Sequence, residues 1–373
     1  MAVIINIFKF FLNLIYAFMK LFPVKNKAVI LSRQSDEKTM DIKLLEEEIA
    51  KQNHNMEVVC LCMSIKESLT GKIRYLFHMM RQMYHIATAR IVVVDGYCMS
   101  VSLLKHRKDT VVVQMWHALG SLKKFGYSIF GKEEGRDEKT ARLMNMHRHY
   151  DIVFTSSNEC IKNFAEAFDC SEDIIYVESL PRVDAIKDEK YCQEMKDKIL
   201  KTYPQMKDKK NIVYAPTFRK NSRSEIDAIE SLVNSVDLSK YNLIIKTHPL
   251  TCIDIDNNGL ISDKKYSSVD MFTVADFIIL DYSAIVYEAA LMEKPVFFYA
   301  YDFDKYKNGR DFYIDYKKEM PGFISKDPAK IMEAIEKERY DQKVICNFAE
   351  KYVEKRESCT FSMVKFILNF RKN

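Results

Sequence analysis

From Lys27 onward the chain alternates short apolar, β-branched runs with longer amphipathic stretches. Apolar runs at 28–31, 57–62, 91–94, 110–113, 152–154 and 174–177 read as strands. The segments 41–52, 72–88, 137–148 and 158–168 read as helices between them. Such alternation favours a parallel, doubly wound sheet over an all-β or all-helical core. A chain of 373 residues is too long for one ordinary core, so two domains are the default. Residues 188–202 read as a helix, and Pro204 followed by a lysine-rich tract marks the expected junction. A second α/β unit begins at 211–215, with further strands at 243–246, 277–280 and 296–299 and a helix over 284–292. Beyond Pro328 the pattern is helical to the end, interrupted near 340–341 and 355–358. The expected division is 1–26 as an amphipathic helix, 27–205 and 206–345 as Rossmann-like domains, and 346–373 as a helical segment that packs back on the first domain.

Composition narrows the function classes. A hydrophobic share of 48% with 29% charged residues describes a globular chain. The net charge of +5 is too mild for a dedicated nucleic-acid binder and suits anionic substrates or an anionic membrane surface. Nine cysteines show no metal-type spacing. Cys60 and Cys62 fall on one face of a strand and read as small core residues in a reducing cytoplasm. The dinucleotide, P-loop and HExxH motifs do not occur. Asp254/Asp256 and Asp302/Asp304 spell DxD, yet neither pair directly follows an apolar strand, so no metal and no cofactor are expected.

Residues 1–22 are mostly apolar, with Asn6, Lys9, Asn13 and Lys20 on one narrow helical stripe. The longest uncharged run, 10–19, is short of the roughly 20 residues that cross a bilayer. No cleavage site of signal-peptide type follows. An interfacial helix on a membrane is the first expectation, docking on the protein's own core the second and a transmembrane anchor the third. The helix over 72–88 carries Ile73, Leu76, Phe77, Met80, Met83, Tyr84 and Ala87 on one face and Lys72, Arg74, His78 and Arg81 off it. That basic face is expected to be the solvated outer side of a domain helix, with contact to lipid headgroups as the alternative.

Polar residues then cluster just past strand ends, where open α/β sheets place their chemistry. Trp116 and His117 follow the strand at 110–113, ahead of a turn and Lys123. In the second unit Arg219 follows one strand and offers a fork of donors to a phosphate. Pro249 stops another strand, so that His248 projects into the cleft. Asp281, Tyr282, Ser283 and Ala284 directly precede a helix, whose first amides and the Ser283 hydroxyl make an anion site; Ser283 as a plain N-cap is the alternative. Glu288 either reaches ribose hydroxyls or is solvated. Arg182 and Asp184 either close the cleft or form a structural pair. Taken together, the strand-end residues read as a diphosphate site facing His117 across a cleft.

These residues also carry a resemblance. Trp116-His117 with Lys123 and Lys124, Thr155-Ser156-Ser157, Pro181-Arg182-Val183-Asp184, Ala215-Pro216-Thr217-Phe218-Arg219, Thr247-His248-Pro249, Asp281-Tyr282-Ser283 and Arg310-Asp311-Phe312-Tyr313 stand in one order. In that order the chain resembles the CDP-glycerol glycerophosphotransferases, which build teichoic acids and related capsule polymers in bacteria. The resemblance implies a GT-B-like fold of two Rossmann-like domains facing a central cleft, and a peripheral enzyme at the cytoplasmic face of the cell membrane. It implies transfer of glycerol phosphate from CDP-glycerol to a hydroxyl of a lipid-linked glycan or polyol-phosphate acceptor, with CMP released. His117 would be the general base, and Arg219, His248 and Ser283 donor-phosphate contacts. A CDP-ribitol or other CDP-alditol transferase and a nucleotide-sugar glycosyltransferase are the alternatives, and homo-oligomerisation is left open. The chain departs from the family pattern in having Ala118, Ala284, Leu180 and Asp311 where Gly, Ser, Gly and Gly are usual.

Overall fold

A computed structural model describes residues 2–217, 219, 222–246 and 260–372. The chain divides into two compact units, one of residues 1–119, 124–184 and 354–373, the other of residues 120–123 and 185–353.

The first unit holds six parallel strands: β1 (Lys27–Ser32), β2 (Glu57–Cys62), β3 (Ile91–Val94), β4 (Val111–Gln114), β5 (Ile152–Thr155) and β6 (Ile175–Val177), in the order β2-β1-β3-β4-β5-β6. β1, β3, β4 and β5 are buried throughout, which is why they are runs of Val and Ile without polar alternation. The order reverses between β1 and β3, so the crevice past their C-terminal ends is a topological switch point.

The second unit contains β7 (Lys210–Ala215), β8 (Tyr241–Ile245), β9 (Leu260–Ser262), β10 (Phe277–Leu280), β11 (Val296–Tyr299) and β12 (Phe323–Ser325), parallel in the order β12-β11-β10-β7-β8-β9. Its switch point lies between β10 and β7. One core of the unit is built from Ile212, Leu243, Ile279 and Phe297 on the sheet and Ile229, Leu232 and Ile331 on helices. Side-chain caps start the late helices where the sequence breaks: Asp327 accepts from the Ala329 amide and Asp341 from that of Lys343.

The units do not meet at 205/206. Helix Glu189–Thr202 and the turn after it belong to the second unit, because Tyr191 donates to Asp270 (2.9 Å) and Tyr203 to Asp263 (2.6 Å). The last helix, Cys359–Asn369, returns to the first unit and packs on α2 (Met40–Gln52), with Gln52 donating to the Phe361 carbonyl (3.0 Å).

Two helices of the first unit turn apolar faces outward, which differs from the expected face of one of them, α3 (Leu69–Ala87). α1 (Ala2–Met19) docks through the face that carries Lys9, Leu12, Asn13 and Tyr16, with Leu12 and Tyr16 buried. Lys9 donates to Leu143 O (2.9 Å), Asn13 to Leu103 O (2.9 Å), and the Tyr16 hydroxyl lies 3.1 Å from His106 Nδ1. Phe10, Phe11, Leu14, Ile15 and Phe18 are left exposed. With Lys9 folded into a protein contact, α1 is long and apolar enough, by length and composition, to cross a membrane. α3 (Leu69–Ala87) buries Tyr75, His78, Met79, Gln82 and Met83 and exposes Leu69, Ile73, Leu76 and Phe77. The expected buried face of α3 is therefore corrected: the protein needs the face carrying His78 and Gln82, since Gln82 accepts from Ser100 (2.8 Å). α1 and α3 pack together. Nearly all the exposed large apolar side chains of the described residues lie on these two helices and the turn after α1.

Candidate active site

In the first unit the backbone turns sharply after β4. Trp116 has a φ of 64°, a left-handed conformation that is costly for a bulky residue. It is held there by its amide donating to Gln114 Oε1 (2.9 Å) and by stacking of the indole on Phe125 at 4.7 Å. The turn delivers His117 to the end of the sheet, its ring 4.2 Å from the indole. Nδ1 of His117 lies 2.7 Å from the Asp95 carbonyl oxygen. A carbonyl only accepts, so Nδ1 carries the proton and Nε2 is left as the basic nitrogen.

Neighbours fix this arrangement. Asp95 follows β3 and is buried; burial pushes its carboxyl up to about 6, against the hydrogen bond from Ser32 (2.5 Å). Arg182 donates to the His117 carbonyl (3.2 Å) and through Nε to Asp41 (2.9 Å), and Asp41 also takes the Arg182 amide (2.8 Å). An Arg182–Asp184 pair is therefore not formed. Asp184 instead caps the last helix, accepting from the amides of Cys359 (2.8 Å) and Thr360 (2.8 Å).

In the second unit three neighbouring strand ends converge. Leu280 of β10 pairs with Ala215 of β7 and with Phe298 of β11, which sets Thr217, Asp281 and Asp302 side by side. Asp281 accepts from the Thr217 amide (2.9 Å) and hydroxyl (2.6 Å). Arg219 reaches Asp281 (3.0 Å), Asp302 (3.1 Å) and the Thr217 carbonyl (2.8 Å). Its guanidinium lies 4.8 Å from the ring centre of Tyr306 and 5.2 Å from that of Tyr282, and only 8% of the residue is exposed. The expected open fork is thus committed to two carboxylates. Arg219 ties three strand ends together, and the trio has a formal charge of −1.

Lys123, packed in the second unit through a bridge to Phe312, brings its ammonium 5.9 Å from the same Tyr306 ring. Ser283 is half-buried in a turn, because the helix begins only at Val286; it is not the N-cap. Ala284 lies in the same turn, and Glu288 is buried at 1% exposure rather than solvated. Arg310 ends helix Phe303–Gly309, and Asp311 after it takes a φ of 76°, the left-handed region where glycine costs least. His248, Pro249, Asp254 and Asp256 lie outside the described residues. Asp302 and Asp304 face different partners, Arg219 and Lys326 (2.5 Å).

Reading the sequence alone missed Asp95, Asp41 and the Arg219 partnership of Asp302. Asp95 and Asp302 stand just past the ends of β3 and β11, the signal that located His117 and Arg219, and this corrects the expectation that the second DxD pair follows no strand. Asp41 starts a distant helix and gave none.

The family model described as CDP-Glycerol:Poly(glycerophosphate) glycerophosphotransferase matches residues 14–360. The chain belongs to that family. It is an enzyme of the glycerophosphotransferase type in cell-wall polymer synthesis. A teichoic acid ribitol-phosphate primase of Bacillus spizizenii is 31% identical over 363 residues, covering 94% of this chain and 93% of the relative. A teichoic acid glycerol-phosphate primase of Bacillus subtilis is 27% identical, covering 90% of each. The chain spans only 55% of a Bacillus spizizenii poly(ribitol-phosphate) polymerase to which it is 32% identical over 91% of its own length. Among solved structures, the wall teichoic acid polymerase TagF superposes with a TM-score of 0.74 at 22% identity, over 92% of this chain and 89% of that one. This likeness shows a GT-B-like fold of two parallel-sheet domains.

Proposed function

We propose that this glycerophosphotransferase-family enzyme moves glycerol phosphate from CDP-glycerol to a hydroxyl of a lipid-linked glycan or polyol-phosphate acceptor. The observation that carries this reading is the 2.7 Å contact between His117 Nδ1 and the Asp95 carbonyl oxygen. The Nδ1 proton is spent on that carbonyl, so Nε2 takes the acceptor proton as general base. The acceptor oxygen then bonds to the phosphorus of the glycerol phosphate. The bond from that phosphorus to the bridging oxygen breaks, and CMP leaves with the electron pair. Positioning and charge stabilisation supply most of the catalysis in such transfers.

The second unit holds the donor. Arg219 acts as a positioning residue that sets the Asp281–Ser283 turn, while Lys123, the Ser283 hydroxyl and His248 meet the diphosphate. The last of these rests on family likeness. Ribitol phosphate from CDP-ribitol is the second reading, favoured by the 31% identity to a ribitol-phosphate primase over nearly the whole of both chains.

Attachment to a membrane completes the proposal. α1 and α3 turn Phe10, Phe11, Phe18, Leu69 and Phe77 outward, with Lys72, Arg74 and Arg81 exposed beside them. An apolar face bordered by cations suits the boundary between acyl chains and anionic headgroups.

The deciding experiment incubates the enzyme with membranes and a panel of CDP-alditols and follows nucleotide release together with the mass of the product. CMP with polyol phosphate transferred is the expected result. A nucleoside diphosphate released from a nucleotide sugar would assign a glycosyltransferase instead.

A further inference from the structure

The first sheet has its own switch point, between β1 and β3, beside His117. Arg33 follows β1 and Tyr97 follows β3. The Arg33 guanidinium lies 5.7 Å from the centre of the Tyr97 ring and donates to the Tyr97 carbonyl (2.8 Å). Arg136, from a loop far along the chain, brings a second guanidinium 5.3 Å from the same ring. Tyr97, Arg136, Asp137, Thr140, Met144 and Met146 line a pocket of 260 Å³. The Asp137 carboxylate is occupied in accepting from the Thr140 amide (2.7 Å).

Two guanidiniums thus stand 5.7 and 5.3 Å from one ring centre, that of Arg33 half-buried and that of Arg136 exposed. Among the described residues neither arginine forms an ion pair, and Arg33 Nε is buried without a hydrogen-bond partner. A buried, unsatisfied donor on a cation is expensive. It is the arrangement expected where a bound anion completes the coordination.

The place fits the reaction. Gln34, next to Arg33, has its amide nitrogen 3.3 Å from His117 Nδ1. Gly96, next to Tyr97, leaves the approach open: a Cβ there would come within 3.1 Å of Gln34 and 4.0 Å of His117 Nδ1. His147, whose ring lies 5.6 Å from that of Tyr97, is kept neutral, its pKa lowered to about 3 by burial and then by the charges of Arg136, Arg33 and His117. Arg33, Arg136 and His147 are thus gathered around the Tyr97 ring of the first unit.

We infer that Arg33 and Arg136 at this switch point form a subsite for a phosphate group of the acceptor, holding a phosphorylated polyol so that its free hydroxyl meets His117. The inference rests on the transferase reading and deepens it, since it makes a phosphate next to the attacking alcohol part of what the enzyme recognises. Hydrogen bonds to charged groups contribute about 1.5–3 kcal/mol, so each arginine should change acceptor affinity by about 10- to 100-fold.

The test compares wild type with Arg33→Gln, Arg136→Gln and Arg136→Lys, using two acceptors, one ending in a polyol phosphate and one of the same scaffold without phosphate. The expected result is a KM for the phosphorylated acceptor raised at least about 10-fold in both Gln variants. Partial recovery is expected in Arg136→Lys, with an unchanged KM for the CDP-alditol and no effect on the acceptor lacking phosphate. Equal losses on both acceptors, or an unchanged acceptor KM, would overturn the subsite. A raised CDP-alditol KM would assign the arginines to the donor instead. A wild-type enzyme that releases no CMP from any CDP-alditol would remove the transferase reading, and the subsite with it.

Discussion

Nδ1 of His117 and the carbonyl oxygen of Asp95 lie 2.7 Å apart, and this contact decides which imidazole nitrogen carries the proton. It also explains why the strained turn at Trp116 is kept. A relaxed φ there would swing the ring of the next residue away from β3.

The tie between Arg182 and Asp41 supports the same histidine from the other side. Asp41 is buried, and breaking a buried ion pair by removing one partner costs about 3–5 kcal/mol. Asp41→Asn should therefore lower the urea midpoint of unfolding clearly and reduce kcat, as the His117 carbonyl loses its anchor. An unchanged midpoint would show that the pair contributes nothing to the fold.

Arg219 separates two roles that the sequence left merged. As a tie between Asp281 and Asp302, its replacement by Ala leaves Asp281, at 0% exposure, without its cation. The expected outcome is a loss of about 3 kcal/mol or more in unfolding free energy, with Arg219→Lys recovering only part of it because a lysine lacks the fork. Loss of CDP-alditol affinity with full stability would instead make Arg219 a direct phosphate ligand.

The outward-facing apolar helices are tested by point substitutions, which leave the docking stripe of α1 intact. Burying one Phe or Leu side chain is worth about 1.5–3 kcal/mol, so Phe11→Glu with Phe18→Glu should lower binding to anionic vesicles by about 10²-fold or more. Phe77→Glu on α3 should add to the loss. Circular dichroism should be unchanged. Vesicle binding at wild-type level would remove these helices from membrane attachment.

His106 makes the seat of α1 sensitive to acid. Its Nε2 lies 2.7 Å from the Val101 carbonyl, which leaves Nδ1 to accept from the Tyr16 hydroxyl. Burial lowers its pKa to about 4, below the unfolded value of about 6.5. The unfolded chain therefore binds the proton first, and stability falls as pH drops from about 6.5 towards 4. The ceiling is about 3 kcal/mol for this group. His106→Gln should flatten the melting-temperature profile across that window, and an unaltered profile would show that another group governs it.

The strands were legible because runs such as Val92-Val93-Val94 and Val112-Val113 admit few other readings. β9 and β12 escaped notice, being three-residue strands at the two edges of their sheet, too short to show a period. The face of α3 was misjudged for a physical reason. Periodicity shows that a helix has two unlike faces but not which one meets the protein, and in α3 the face with His78 and Gln82 does so. Within the site, His117 and Arg219 could be found because they follow strand ends. The carboxylates Asp41 and Asp302, which pair with Arg182 and Arg219, could not be assigned, since pairing across 141 and 83 residues is set by topology alone.

The role of His117 is tested most directly by turnover of His117→Ala, read as CMP release coupled to polyol phosphate transfer, with CDP-alditol binding measured in parallel. General-base help is typically worth about 10²–10⁴-fold, so the expected result is a fall of at least about 10²-fold in kcat with donor affinity unchanged. Turnover within a few-fold of wild type would contradict it and pass the base role to another residue.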